Sequence, residues 1–360
     1  MRLEVTVVRG DGVGPEKMAA AVEVLQAVCR MYGHELVLRE VTAGGEAIER
    51  FYNPIPEESL AVCRQVRAVL FGNIGLAKYR NLPIEKRPEY ALMRLRREMA
   101  VTTNIRPVRL YPQLKALSPL KEALLERGLD YVFVRDIAGG VLCSEKVQGN
   151  GVYGREAYEY EYYNEKIVMD TAHIAFRLAE SRKKRLISLD KSNVLGSSRL
   201  WRRTIVQTGS RYPQVELSHC FVDTAAMRMI ATPWDFDVIV TSNLFGDILS
   251  DEGTQLTGTP GLYPSAEIGR DGRGIYTPNQ LHEPDESLIG TQTVNPIGMI
   301  LAAALMLRLT FGLEREAQAV EDAVARVIAA GYSTADIRLP GRMKCGTREM
   351  GEHIVEYLQN

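Results

Sequence analysis

Mostly apolar short runs and longer amphipathic runs alternate along almost the whole chain. Residues 3–8, 68–71, 131–134, 186–189, 215–222 and 236–241 read as strands. Residues 16–30 carry Met18, Ala21, Val22, Leu25 and Val28 at helical spacing. Ser118-Pro119 predicts the cap and first turn of another helix, which Gly128 would end. Asn295-Pro296 opens a long helix that is apolar on nearly every face and so belongs inside a lobe. Strands interleaved with helices predict an α/β protein built on a sheet flanked by helices. One stretch breaks the pattern. Residues 157–163 alternate Tyr and Glu with period two, which suits a ribbon with one face covered and one wet. A lone two-stranded ribbon is marginal in water. It therefore predicts a covering surface, either a second subunit or its own lobe.

A chain of 360 residues exceeds the usual single core and predicts more than one compact lobe. The formal net charge of −1 supplies no global field for nucleic acid or anionic lipid. The basic run Arg182-Lys183-Lys184-Arg185 reads as a solvated helix end. Five scattered cysteines without a C-x-x-C spacing predict neither a disulfide framework nor a zinc site. The first strand follows the N-terminus with no signal-peptide pattern, and the apolar stretch 297–307 is too short to span a bilayer. The expectation is a cytoplasmic protein without nucleic-acid or membrane partners.

Four segments carry candidate chemistry. In Thr241-Ser242-Asn243-Leu244-Phe245-Gly246-Asp247-Ile248-Leu249-Ser250-Asp251-Glu252, a strand feeds a polar turn and a helix. Asp247 and Asp251 then share one helix face a turn apart. A hard divalent ion would relieve their repulsion, although spacing alone favours a solvated acidic helix start, since Asp pairs are common. Lys191, in Asp190-Lys191-Ser192-Asn193-Val194, follows a strand, where α/β sheets bind ligands. It is a candidate general base or a loop lysine paired with Asp190. Arg96, Arg106 and Arg135 are candidate carboxylate grips, though Arg94 and Arg97 crowd the same helix as Arg96. Gly10-Asp11-Gly12-Val13-Gly14-Pro15-Glu16 is a glycine-rich strand-to-helix turn suited to close approach of an anion, without the G-x-G-x-x-G spacing.

Taken in order, these segments resemble the β-decarboxylating dehydrogenases, the isopropylmalate, isocitrate, homoisocitrate, tartrate and D-malate enzymes, and come closest in pattern to the isopropylmalate enzymes. The resemblance also covers Asn104-Ile105-Arg106-Pro107, Val134-Arg135 with Gly139-Gly140, Val222-Asp223 and Gly261-Leu262-Tyr263-Pro264-Ser265-Ala266. It implies a two-lobed fold: residues 1–102 with 258–360 as a large cofactor-binding lobe, and 103–257 as a small dimerisation lobe. A β-arm at about 143–166 would lie at the interface of a homodimer. It implies oxidation of a small 2-hydroxy diacid, a 3-substituted malate such as 3-isopropylmalate, by NAD with Mg²⁺ or Mn²⁺. Arg96, Arg106 and Arg135 would hold carboxylates. Asp223, Asp247 and Asp251 would bind the metal, with Asp223 and Lys191 supplied by the other subunit. Lys191 would help remove the hydroxyl proton. Val13, Glu89, Asp285 and Asn295 would meet the cofactor, and Leu92 and Met93 an alkyl or aryl substituent.

Three departures stand out. Leu142 occupies the position of the family tyrosine that protonates the enolate after decarboxylation. Gln280-Leu281-His282-Glu283-Pro284-Asp285 replaces His-Gly-Ser-Ala-Pro-Asp in the adenosine loop. Asp285 still matches the ribose-binding acid and favours NAD over NADP, while His282 reads as a surface residue. Arg94 would face solvent, or would meet an anionic substituent if it turned inward. Retained Lys191 and the three aspartates imply turnover. Leu142 and the altered loop keep open a catalytically degenerate paralogue that binds a ligand or partner.

Overall fold

The computed structural model describes residues 1–282 and 285–360, so the expectations at Glu283 and Pro284 lie outside the described residues. The chain divides into two compact units. The first comprises Met1–Val101, Tyr111–Ser118 and Gly258–Asn360, the second Thr102–Leu110 and Pro119–Thr257.

In the first unit five strands lie in the order Glu35–Glu40, Arg2–Val8, Ala68–Phe71, Gly274–Pro278, Pro264–Ile268. All neighbours are parallel except the last pair. Leu3, Val5 and all four residues of Ala68–Phe71 are buried, as expected for strands covered on both faces. Helix Ile297–Leu309 is buried from Ile297 to Leu307, as its all-round apolarity requires. Gly298 allows that depth, because a Cβ there would stand 2.8 Å from the Gly261 carbonyl oxygen.

In the second unit the order is Thr103–Arg109, Asp130–Asp136, Val238–Thr241, Arg185–Asp190, Glu216–Phe221. The first pair is antiparallel and the rest parallel. Helices Glu165–Ser181, Gly196–Gly209, Val222–Ala231 and Asn243–Gln255 follow or precede these strands. The polar turns at the carboxyl ends of parallel strands are where such sheets place ligand chemistry.

Three local expectations are corrected. Ser118 caps no helix: Pro119 holds it extended, and the only α-helix there is the four residues Glu122–Leu125, preceded by Lys121. Val222 does not close a strand but starts helix Val222–Ala231, where Asp223 favours the first turn. The Tyr/Glu alternation belongs to a ribbon only as far as Tyr158. The ribbon pairs Val147–Gly151 with Gly154–Tyr158, and every residue of the second strand is exposed, so neither face is covered. Beyond it the chain turns back onto the Gly139–Ser144 segment. Gly140 N–H donates to the Tyr162 carbonyl at 2.9 Å, Val141 N–H to Glu161 at 2.8 Å, and Tyr160 N–H to Ser144 Oγ at 3.1 Å.

Candidate functional site

The second unit gathers the run around Asp247. Asn104 pairs with Arg135 across the antiparallel strands, so Arg106, two residues on, lies diagonal to Arg135 on the same face. Thr241 sits beside Arg135 on the next strand, and helix Asn243–Gln255 begins two residues later. Arg135, largely buried, donates through Nε and Nη2 to Asn243 Oδ1 at 3.1 and 2.7 Å, and through Nη1 to Asp247. Arg106 Nη1 donates to Ser250 Oγ at 2.7 Å and to Asp251 Oδ1 at 2.8 Å. Two arginines and two aspartates one helical turn apart thus interlock. Gly246 is part of the design: a Cβ there would stand 2.7 Å from Arg135 Cγ. A side chain at 246 would push the guanidinium off the helix.

Lys191 and Asp223 stand at the carboxyl ends of two neighbouring parallel strands, whose last pair is Asp190 and Phe221. Lys191 Nζ donates to Asp223 Oδ1 at 2.7 Å, and that hydrogen bond holds the Asp223 carboxyl below its ordinary range. The loop-lysine reading, in which Lys191 pairs with Asp190, is corrected. Asp190 is buried and receives Arg202 instead, at 2.8 and 3.0 Å. Among the described residues no group of three or more His, Cys, Asp or Glu side chains is placed to hold a metal, so Asp223 does not join Asp247 and Asp251 within one chain.

Leu142 lies on the short turn Val141–Cys143 and is 40% exposed. The turn is held by main-chain and Glu161 hydrogen bonds, not by the leucine. Beneath it Tyr163 is buried and its oxygen accepts the Asn243 N–H at 2.9 Å. Burial pushes the Tyr163 hydroxyl well above its usual range. The neighbouring Asp136, fully buried, is raised to about 6 by desolvation, against which the Gly139 N–H and the Thr171 hydroxyl pull it down.

In the first unit the glycine turn between the first strand and the first helix is a close backbone crossing. Gly10 has φ +82°, and a Cβ there would meet the Asn73 carbonyl oxygen at 2.1 Å. Asp11 is buried and accepts the N–H groups of Gly45 and Gly75 at 2.7 and 3.0 Å, with burial raising its carboxyl. Asp11 therefore ties three loops together, a role the sequence did not single out. A narrow cleft is lined by Asp11, Gly12, Asn73, Gly75, Leu76 and Glu286. Val13 is fully buried, main chain included.

Asp285 is exposed and accepts from the N–H and hydroxyl of Ser287, which lower its carboxyl. His282 Nδ1 lies 2.6 Å from the Ile74 carbonyl oxygen and 4.0 Å from Glu89. Asn295 is mostly buried and committed to the fold. Its amide donates to Asp336 at 3.0 Å, and its oxygen accepts the Ile297 N–H that opens the long helix. On helix Tyr90–Glu98, Leu92 is buried whereas Met93 is exposed. Arg94 stands 3.7 Å from Glu57 and from Glu98, and Arg96 is held by Glu267. The sequence did not flag Asn243, Ser250, Glu161 or Glu267 as functional. The last carried a signal, an acid inside an otherwise buried strand.

Comparison with known proteins agrees in scale. The family model for isocitrate/isopropylmalate dehydrogenase matches residues 4–354. The 3-isopropylmalate dehydrogenase of Clostridium acetobutylicum is 43% identical over 357 residues, 99% of each chain. That of Heyndrickxia coagulans is 42% identical over 360 residues, 100% of this chain and 98% of the other. Isocitrate dehydrogenase of Methylococcus capsulatus superposes with a TM-score of 0.84 at 27% identity, covering 99% of this chain and all of that one. The chain belongs to the isocitrate/isopropylmalate dehydrogenase family, oxidoreductases that act on the CH–OH group of hydroxy acids.

Proposed function

We propose that the protein oxidises a 3-substituted malate, such as 3-isopropylmalate, with NAD and Mg²⁺ or Mn²⁺, and that the product can lose carbon dioxide. The observation that carries this reading is the interlock of Arg106 and Arg135 with Asp251 and Asp247. It combines carboxylate-gripping guanidinium groups with hard oxygen donors on one helix face.

The donor set fits Mg²⁺ or Mn²⁺. Both Asp247 and Asp251 present exposed carboxylates, and Mg²⁺ commonly takes one or two protein carboxylates and keeps water for the rest. Asp223 of a second subunit would be a third ligand. A divalent ion there supplies Lewis-acid polarisation of the substrate oxygens. The Lys191–Asp223 pair of the second subunit would together take up the proton of the C2 hydroxyl. Arg106 and Arg135 hold carboxylates in the second unit, and Arg96 does so in the first. In the first unit Asp285 takes a ribose hydroxyl, and Glu89 and the turn fixed by Asn295 complete the cofactor contacts. NAD supplies the hydride acceptor. The carboxylate of Asp285 disfavours a 2′-phosphate, so NAD is preferred to NADP.

The first unit is the cofactor-binding lobe and the second the dimerisation lobe. Two copies of the chain form the working enzyme in the cytoplasm, with the exposed ribbon Val147–Tyr158 as the arm between them. No helix among the described residues is long and apolar enough to cross a membrane. The test is NADH formation with a panel of 3-alkyl, 3-aryl and unsubstituted malates, with and without Mn²⁺. No turnover of any member, with binding retained, would favour the degenerate paralogue instead.

A further inference from the structure

Strand Pro264–Ile268 is buried at all five positions, yet its fourth residue is Glu267. The Glu267 side chain is only 4% exposed. A carboxylate in that position is unfavourable unless it is paired and hydrogen-bonded. One edge of a single guanidinium meets both its oxygens: Arg96 Nε donates to Oε2 at 2.7 Å, and Arg96 Nη2 donates to Oε1. Arg94 on the same helix goes elsewhere, to Glu57 and Glu98. Glu267 therefore distinguishes Arg96 from the arginine beside it, which spacing in the sequence did not.

The geometry has a chemical consequence. A guanidinium is flat and offers two bidentate edges, Nε with Nη2 and Nη1 with Nη2. Glu267 spends the first. A second carboxylate that engages Arg96 bidentately must therefore use the Nη1–Nη2 edge, in the plane that Glu267 sets. The Arg96 side chain is 37% exposed while that of Glu267 is buried, so the carboxylate braces from inside an arginine that reaches solvent.

We propose that Glu267 is the positioning residue for Arg96, fixing which edge and which plane of its guanidinium meet the substrate carboxylate. The inference rests on the reading that Arg96 binds that carboxylate. Long unbraced arginines lose side-chain entropy when they bind, whereas a braced one has lost it already. Glu267 thus raises affinity by preorganisation although it carries the same sign of charge as the substrate.

The test is a double-mutant cycle on the full-length enzyme with Mn²⁺, titrating the 2-hydroxy diacid that the wild type turns over fastest. Dissociation constants come from calorimetry, and kcat, KM and Tm are measured alongside. Glu267→Ala is expected to weaken binding about 10-fold, the scale of one charge-assisted hydrogen bond. kcat should stay within about 3-fold, because Lys191 and the metal ligands are untouched. Arg96→Ala should weaken binding at least as much, and adding Glu267→Ala to it should cost nothing further. Glu267→Gln keeps one acceptor oxygen and should fall between wild type and Glu267→Ala, which serves if the alanine variant folds poorly. A lower Tm with an unchanged dissociation constant would make Glu267 a structural tie and overturn the proposal. Tighter binding in Glu267→Ala would mean the carboxylate merely drains charge from Arg96, and would overturn it too. If Arg96→Ala itself leaves binding unchanged, the assignment of Arg96 fails first and this inference falls with it.

Discussion

Replacing Leu142 by tyrosine separates oxidation from the steps after it. Leu142 is 40% exposed. The turn that carries it is fixed by Gly140 N–H to Tyr162, Val141 N–H to Glu161 and Cys143 N–H to Gly140. An exposed substitution on a turn held in this way should change stability by no more than ~0.5 kcal/mol. The effect on rate is larger. Arg106, Arg135, Lys191 and the three aspartates are all present for oxidation, and only a donor for protonation at carbon is missing from its expected place. General acid catalysis contributes roughly 10²–10⁴-fold. Leu142→Tyr is therefore expected to raise the rate of full product formation by about 10²-fold, with substrate KM little changed and Tm within a degree or two. NADH is followed by absorbance during the first turnover, and the protonated keto acid separately in quenched samples. In the wild type NADH release should outrun formation of the protonated product, and in the variant the two should match. Fast, matched release from the wild type, with no gain in the variant, would refute the reasoning. A sharp rise in KM in the variant would instead mean that Leu142 makes room for the substrate side chain.

Asp247→Asn should abolish Mn²⁺-dependent turnover and the Mn²⁺-induced rise in Tm while leaving the fold intact; turnover at the original metal dependence would remove Asp247 from the metal site. Lys191→Ala and Arg135→Ala chains, each inactive alone, should regain part of their activity when unfolded and refolded together, whereas a fully active monomer in sedimentation would end the shared-site reading. Asp136 is raised from 3.8 to about 6 by burial, so the folded state binds more protons than the unfolded chain across that window. Its contribution is complete below about pH 4 and is lost as pH rises through about 6, on the order of 3 kcal/mol. Asp136→Asn should lack that slope, so the stability difference between the two proteins should change with pH over pH 4–7, and an identical slope in both would show that Asp136 does not titrate there.

What the sequence made legible follows from what patterns encode. Period and caps located the buried strands and the apolar helix Ile297–Leu309, because burial on all sides leaves no polar positions. They failed at Ser118, where a proline-imposed extended residue mimics a helix cap, and at residues 159–163, where period two came from a segment bonded to the Gly139–Ser144 turn. Asp247 and Asp251 were legible as a pair on one helix face. Their partners Arg135 and Arg106 were not, because those contacts join residues more than a hundred positions apart. Arg96 could not be told from Arg94 for the same reason. Glu267, which makes the difference, lies 171 positions downstream. Val13 and Asn295 were picked out by resemblance, yet the first is fully buried and the fold occupies the amide of the second.

The division of the chain also sets an order on its synthesis. Apart from one short excursion, the second unit is drawn from a continuous stretch that ends at Thr257, whereas the first needs residues from both ends. Gly351 of the last helix, Thr347–Gln359, packs so closely on Ala20 that a Cβ there would lie 3.0 Å from the alanine methyl. As the chain leaves the ribosome, the second unit has all its parts about a hundred residues before the first. Until then helix Gly14–Met31 waits with apolar surface uncovered, a natural site for a chaperone to hold. A stop codon that removes only the last helix should therefore cost far more soluble protein than its thirteen residues suggest.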